Sequence, residues 1–151
     1  MAEDFRLLAA KDVLGFAGAE AMPPEATRAL VGGVDSPSIR RLAGMDGADS
    51  EDVRVMFRAA LRELAVELPS KREAALLLAT EVARRITQRT VSPYEGAKEI
   101  WRIARTSDED LTELDTFVYA ASEWEERPKA RKRFEGGIVA AARDLLLSNR
   151  S

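Results

Sequence analysis

The chain has 151 residues, 26 acids against 23 lysines and arginines, a formal net charge of −3, and neither histidine nor cysteine. The two absences remove the usual proton shuttle and metal ligand near neutral pH, the thiolate nucleophile, the zinc–thiolate site and the disulfide. The acidic balance argues against a surface that binds nucleic acid as a whole, because phosphate binding rests on a positive field.

Apolar residues recur at helical spacing along almost the whole chain and no run alternates strictly, so the expected fold is all-α, a compact bundle of about six to eight helices without a sheet. Phe5, Leu8, Ala9, Val13 and Phe16 mark a first helix that fades between Gly15 and Gly18. Pro23 and Pro24 open a short second helix carrying Ala26, Leu30 and Val31, which Gly32 and Gly33 end. Ser36 caps a third at Pro37, where the missing N–H costs nothing, and that helix stops near Gly44. Asp49 or Ser50 starts a fourth, whose stripe of Val53, Met56, Phe57, Ala60, Leu61, Leu64 and Leu68 runs up to Pro69.

Ser70 with Glu73 three residues on is a capping box for the fifth helix, striped by Ala75, Leu78, Ala79, Val82 and Ile86. Ser92 and Pro93 repeat the cap-then-proline device before Tyr94, Ala97, Ile100, Trp101 and Ala104. A seventh helix is read from Leu111, Leu114, Phe117, Val118, Ala121 and Trp124, broken by Pro128. The last begins near Lys129 with Phe134, Ile138, Ala141, Ala142 and Leu145 facing inward, and Gly136 and Gly137 weaken its middle by roughly 1 kcal/mol each. Length predicts one domain over 1–151, with a short-helix subregion over 1–47 and the main bundle over 48–151. No stretch of about 18 apolar residues exists, and Glu3 and Asp4 stand where a signal peptide would be basic, so a cytoplasmic protein with no membrane span is expected.

Charge is arranged most unusually over residues 107–126, where Asp108, Glu109, Asp110, Glu113, Asp115, Glu123, Glu125 and Glu126 occur without one base. Arg127, Lys129, Arg131, Lys132 and Arg133 follow at once. Helix electrostatics accounts for such an arrangement, with acids at a helix start and acid–base pairs across the turn. A docking face accounts for it too, since one-signed charge speeds and selects association. On the docking reading the contact residues are Asp108, Asp110, Glu113, Asp115, Glu123, Trp124, Arg127 and Arg131, with Trp124 as an anchor at the rim.

A metal reading competes with it. Glu95 and Glu99 stand at i and i+4, and Glu123 and Glu126 at i and i+3, so two neighbouring helices could offer four carboxylates to Mg²⁺ or Mn²⁺ and support a phosphohydrolase. Residues 123–126 resemble the Glu-x-x-Glu motif of the all-α nucleotide pyrophosphatases, but Glu135 is followed by Ile138 where the second motif of that family needs an aspartate. Residues 36–44, with Arg40 and Arg41, resemble the first helix of a helix-turn-helix unit, yet Asp46, Asp49, Glu51 and Asp52 follow where DNA phosphates would lie. No nucleophile elbow and no phosphate-binding loop is present. An apolar stripe on the first or last helix would suit a homodimer.

Ser92-Pro93-Tyr94-Glu95-Gly96-Ala97-Lys98-Glu99-Ile100-Trp101 and Phe117-Val118-Tyr119-Ala120-Ala121-Ser122-Glu123-Trp124-Glu125 are similar to a group of small all-helical bacterial proteins of uncharacterised function. The resemblance implies a bacterial helical protein and assigns no catalytic residue. Taken together, the sequence points to a non-enzymatic protein-interaction module, an adaptor, regulator or immunity-type inhibitor without a cofactor, whose partner is another protein. The Mg²⁺- or Mn²⁺-dependent phosphohydrolase is the alternative.

Overall fold

The computed structural model describes residues 2–46 and 49–148. Among them are eight α-helices and no strand: α1 (Ala2–Leu14), α2 (Met22–Val31), α3 (Pro37–Ala43), α4 (Ser50–Glu63), α5 (Lys71–Thr87), α6 (Pro93–Ser107), α7 (Asp115–Glu126) and α8 (Arg131–Ser148). Single 3₁₀ turns at Ala19–Ala21, Thr112–Leu114 and Pro128–Ala130 lead into α2, α7 and α8. The all-α fold is therefore as expected. No helix among the described residues is long and apolar enough to cross a membrane.

The chain packs as two compact units divided after Ala74, so the division falls inside α5 and not at the expected subregion boundary. That boundary, between 47 and 48, lies outside the described residues.

In the first unit Phe5, Met22, Ile39, Leu42, Val53 and Phe57 are fully buried, and the Phe5 and Phe57 rings stack with centroids 6.0 Å apart. Each such side chain contributes about 1.5–3 kcal/mol of transfer free energy. Polar contacts set the registers around this core. Arg54 of α4 pairs with Asp12 of α1 at 3.2 Å. Ser36 caps α3 by accepting from the Ile39 N–H at 3.2 Å. Glu63, at the end of α4, accepts from the Ser38 N–H at 3.0 Å through Oε1 and from the Ser38 hydroxyl through Oε2. A carboxylate from α4 thus satisfies a first-turn amide of α3. Those Ser38 hydrogen bonds, with a smaller one from Ser36, hold the Glu63 carboxyl below its ordinary pKa.

The end of α4 differs from the sequence expectation because of the way helices stop in this chain. Four helices end in the same double hydrogen bond, in which the residue after the cap turns left-handed. Gly15 and Gly33 supply that residue after α1 and α2, at φ +78 and +93. Ala65 and Arg89 supply it after α4 and α5, at φ 56 and 60, with Val66 N–H bonded to the Leu61 carbonyl and Thr90 N–H to that of Arg85. Ala65 stops α4 at Glu63, so Leu68 lies beyond the helix and is half exposed instead of extending the stripe. Val31, read as part of the α2 stripe, is 86% exposed at the helix end, and buried Met22 takes the inward role.

In the second unit α6 packs against both α7 and α8, and α7 against α8. Ile86, Ile100, Leu114, Phe117 and Ile138 are fully buried. Gly96 is the tightest point. A Cβ there would lie 2.5 Å from Ile86 Cγ1 and 2.6 Å from its Cδ1, so the backbone of α6 approaches α5 closer than any side-chain-bearing residue allows. Gly136 and Gly137 do the opposite: a Cβ on either meets nothing within 4 Å, and α8 runs through both without a break. Neither close packing nor a kink accounts for that pair.

Candidate functional site

The residues singled out from the sequence lie on α6, α7 and α8 and in the connections between them. Ser92 caps α6 by accepting from the Glu95 N–H at 3.2 Å, which puts Tyr94 in its first turn. There the phenol ring stacks on Trp124 of α7, with centroids 3.8 Å apart and planes 15° from parallel. The Arg131 guanidinium carbon is also 3.8 Å from the Trp124 ring, so the indole is held between an aromatic face and a cation, one on each side. Arg131 Nε donates to the Trp124 carbonyl at 3.2 Å, and Trp124 Nε1 donates to Glu135 Oε1 at 3.2 Å. Lys98 Nζ lies 5.7 Å from the Tyr94 ring. The ring pair contributes about 0.5–1.5 kcal/mol beyond its buried area, and the cation over the indole contributes about 0.5–2 kcal/mol. This stack ties α6, α7 and the start of α8 together. Trp124 is accordingly half-buried with both faces engaged.

Tyr94 donates its hydroxyl to Glu125 Oε1. That hydrogen bond, then burial and the carboxylate charge, raise the phenol pKa above its ordinary value, against a smaller lowering by Lys98. Glu125 also lines an open groove of about 600 Å³ along α6 with Glu95, Glu99, Lys98, Arg102 and Trp101. Its partners in that groove are the two α6 glutamates of the metal reading. The other two glutamates of that reading are elsewhere engaged or exposed: Glu123 pairs with Arg127 at 2.7 Å, and Glu126 faces solvent. Glu99 is paired with Arg85 of α5 at 3.1 Å. Among the described residues no three or more His, Cys, Asp or Glu side chains are grouped to hold a metal ion. Glu95, Glu99, Glu123 and Glu126 therefore do not form the four-carboxylate set that Mg²⁺ or Mn²⁺ would need.

The acidic stretch has a definite local architecture. Asp108 ends α6 in the left-handed conformation, φ 55, which a short polar side chain tolerates better than most. Buried Ser107 donates to the Ala104 carbonyl at 2.7 Å and accepts from the Glu109 N–H at 3.3 Å. Leu111 and Leu114 are buried on either side of the turn into α7. With those apolar residues taken inward, Asp108, Glu109, Asp110, Glu113 and Asp115 are all exposed. Tyr119, one turn beyond Asp115, is 62% exposed, and its ring meets Phe134 of α8 edge-on at 6.3 Å. Glu123 stands one further turn along the same helix face. Arg127 is exposed but held by Glu123, and Arg131 is half-buried on Trp124.

Of the eight expected contact residues, Asp108, Asp110, Glu113 and Asp115 are exposed between the end of α6 and the start of α7, Glu123 pairs with Arg127, and Trp124 is covered by Arg131. The parts missed in the sequence are Tyr119 as the exposed aromatic, Glu125 as the partner of Tyr94, and Glu135 as the acceptor of the indole. Only Tyr119 carried a signal, because it falls off the apolar stripe of its helix. In comparison with known proteins, the chain matches no family, no curated protein and no solved structure at a significant level.

Proposed function

We propose that the chain is a non-enzymatic protein-interaction module that takes a basic partner on the acidic face formed by Asp108, Asp110, Glu113 and Asp115, with Tyr119 as its aromatic anchor. The observation that carries this reading is the simultaneous exposure of those acids and of the Tyr119 ring, one helical turn from Asp115. Like-signed charge on one face steers a basic partner and raises its association rate. A tyrosine contributes contact area at small entropic cost, which is why aromatic side chains dominate interface energetics. The Tyr94–Trp124–Arg131 stack supports this role by fixing α7 against α6 and α8, so that the face is presented rigidly.

Affinity purification from the native host with mass spectrometry tests the proposal. A Asp108→Lys, Asp110→Lys, Glu113→Lys variant is expected to lose its co-purifying protein, and Tyr119→Ala to weaken its retention. Raising the salt should slow association without abolishing the complex, because exposed charges are screened over about 8–10 Å at moderate ionic strength. Unchanged co-purification by the charge-reversed variant would remove this face from consideration.

A further inference from the structure

Two residues of the second unit are chosen against the preference of their own backbone, and both line one groove. Arg89 occupies the left-handed position after α5, φ 60, where α1 and α2 use Gly15 and Gly33. Gly136 and Gly137 both lie inside α8 at exposed sites where a Cβ would meet nothing, so packing gives no reason for the poorest helix former other than proline, and of the two only Gly136 lines the groove. The groove that Arg89 and Gly136 share has a volume of about 530 Å³, within the range of small-molecule sites, and Thr90, Glu135 and Arg143 also line it. Gly136 leaves its part of the lining as bare backbone. Arg89 and Arg143 line the groove from different elements, and neither guanidinium group is engaged in an ion pair or hydrogen bond among the described residues. Glu135 is the one carboxylate of the lining, and it already accepts from Trp124 Nε1.

We infer that this groove is a binding site for a small phosphorylated molecule, with Arg89 and Arg143 meeting the phosphate and the bare backbone at Gly136 leaving room for the rest of the ligand. Two guanidinium groups match phosphate oxygens in geometry and charge. Glu135 next to them selects against a bare anion and in favour of a ligand that carries hydroxyl donors beside its phosphate, as a sugar phosphate or a mononucleotide does. The site is separate from the acidic face, since none of its lining residues belongs to that face.

The hydrogen bond from Trp124 to Glu135 supplies a reporter. In a Trp101→Phe background the fluorescence of Trp124 is followed while inorganic phosphate, ribose 5-phosphate or adenosine 5′-monophosphate is added at fixed ionic strength. A saturable change with one of the two organic phosphates, at a concentration at least tenfold below that needed for inorganic phosphate, is the expected result. Arg89→Gly and Gly136→Leu each suit their backbone better than the native residue, so both are expected to melt at or above the parent temperature while weakening binding at least tenfold. Arg143→Gln should weaken it similarly, and Gly137→Ala, outside the groove, should leave it unchanged. The inference is overturned if none of the three probes saturates, if inorganic phosphate binds as well as the organic phosphates, or if folded Gly136→Leu binds as the parent does.

Discussion

Replacing Gly96 by alanine puts two opposing effects in one methyl group, and the structure decides between them. Alanine is the better helix former by about 0.8–1.0 kcal/mol, so α6 alone would gain. The new Cβ, however, would stand 2.5 Å from Ile86 Cγ1 and 2.6 Å from Cδ1, where carbon atoms normally approach to about 3.5–4.0 Å. Val91 Cγ1 closes the other side at 3.4 Å. Ile86 is 2% exposed, so it cannot swing into solvent. Relief needs a shift of roughly 1 Å between α5 and α6 or an off-rotamer isoleucine, and overpacking of that kind costs about 1–3 kcal/mol.

The net expectation is a loss of about 1 kcal/mol, read as a lower urea midpoint at unchanged slope. The corresponding drop in Tm is about 2–4 °C if the chain melts in one transition and about 4–8 °C if the second unit melts alone. A double-mutant cycle isolates the cause. Ile86→Ala removes both crowded atoms at a cost of about 2–5 kcal/mol by itself, and in that background Gly96→Ala should become neutral or stabilising, a coupling of about 1–2 kcal/mol. If Gly96→Ala stabilises the otherwise native chain by the full propensity gain, or if the two changes are additive, the close approach of α6 to α5 does not have the energetic role assigned to it.

Two further outcomes follow from ionisable groups. The Glu63 carboxylate, bonded to Ser38, titrates below its ordinary value of 4.5, so its contribution is complete above that pH and is lost as the pH falls through the lower folded-state value. Stability measured by urea melts from pH 3 to 6 should rise with pH more steeply in the native chain than in Glu63→Gln, and equal slopes would show that the Ser38 contact has no effect. Tyr94 titrates above its ordinary value of 10.0 because it donates to Glu125. In an ultraviolet titration of the two tyrosines, with Tyr119→Phe used to isolate Tyr94, Glu125→Gln should bring the midpoint down, and an unmoved midpoint would refute that hydrogen bond.

The helices were legible because their signals are local. Ser36, Ser92 and the Ser70–Glu73 pair each announce a start, and each side chain makes the capping bond expected of it. The ends were legible where glycine marks them and, for α7, where Pro128 follows. Ala65 and Arg89 turn left-handed with no glycine to show it, so the end of α4 was read at Pro69 when the chain had already left the helix. The acidic run was equally plain as sequence, but the partners of Glu123 and Glu125 were not. Glu123 points to Arg127 and Glu125 to Tyr94, two residues apart on one helix with unrelated partners, because such residues project from opposite sides of α7. The Glu123–Arg127 pair follows the i, i+4 spacing of a single helix, whereas the Tyr94–Glu125 bond depends on which helices pack together and no such spacing contains it.

Glycine makes the same point more sharply, since one residue type does three different jobs here. At Gly15 and Gly33 it supplies a positive φ, which is a property of the local backbone. At Gly96 it permits the approach of Ile86, a property of a helix ten residues earlier in the chain. At Gly136 neither reason applies, for the backbone is helical and the surrounding space is empty. Mid-helix glycine lowers helix stability, and nothing inside the fold offsets the loss at this position. The space it leaves is bordered by Arg89 and Arg143. A phosphorylated ligand in that space would give a use to the bare backbone at Gly136 and to the two guanidinium groups beside it.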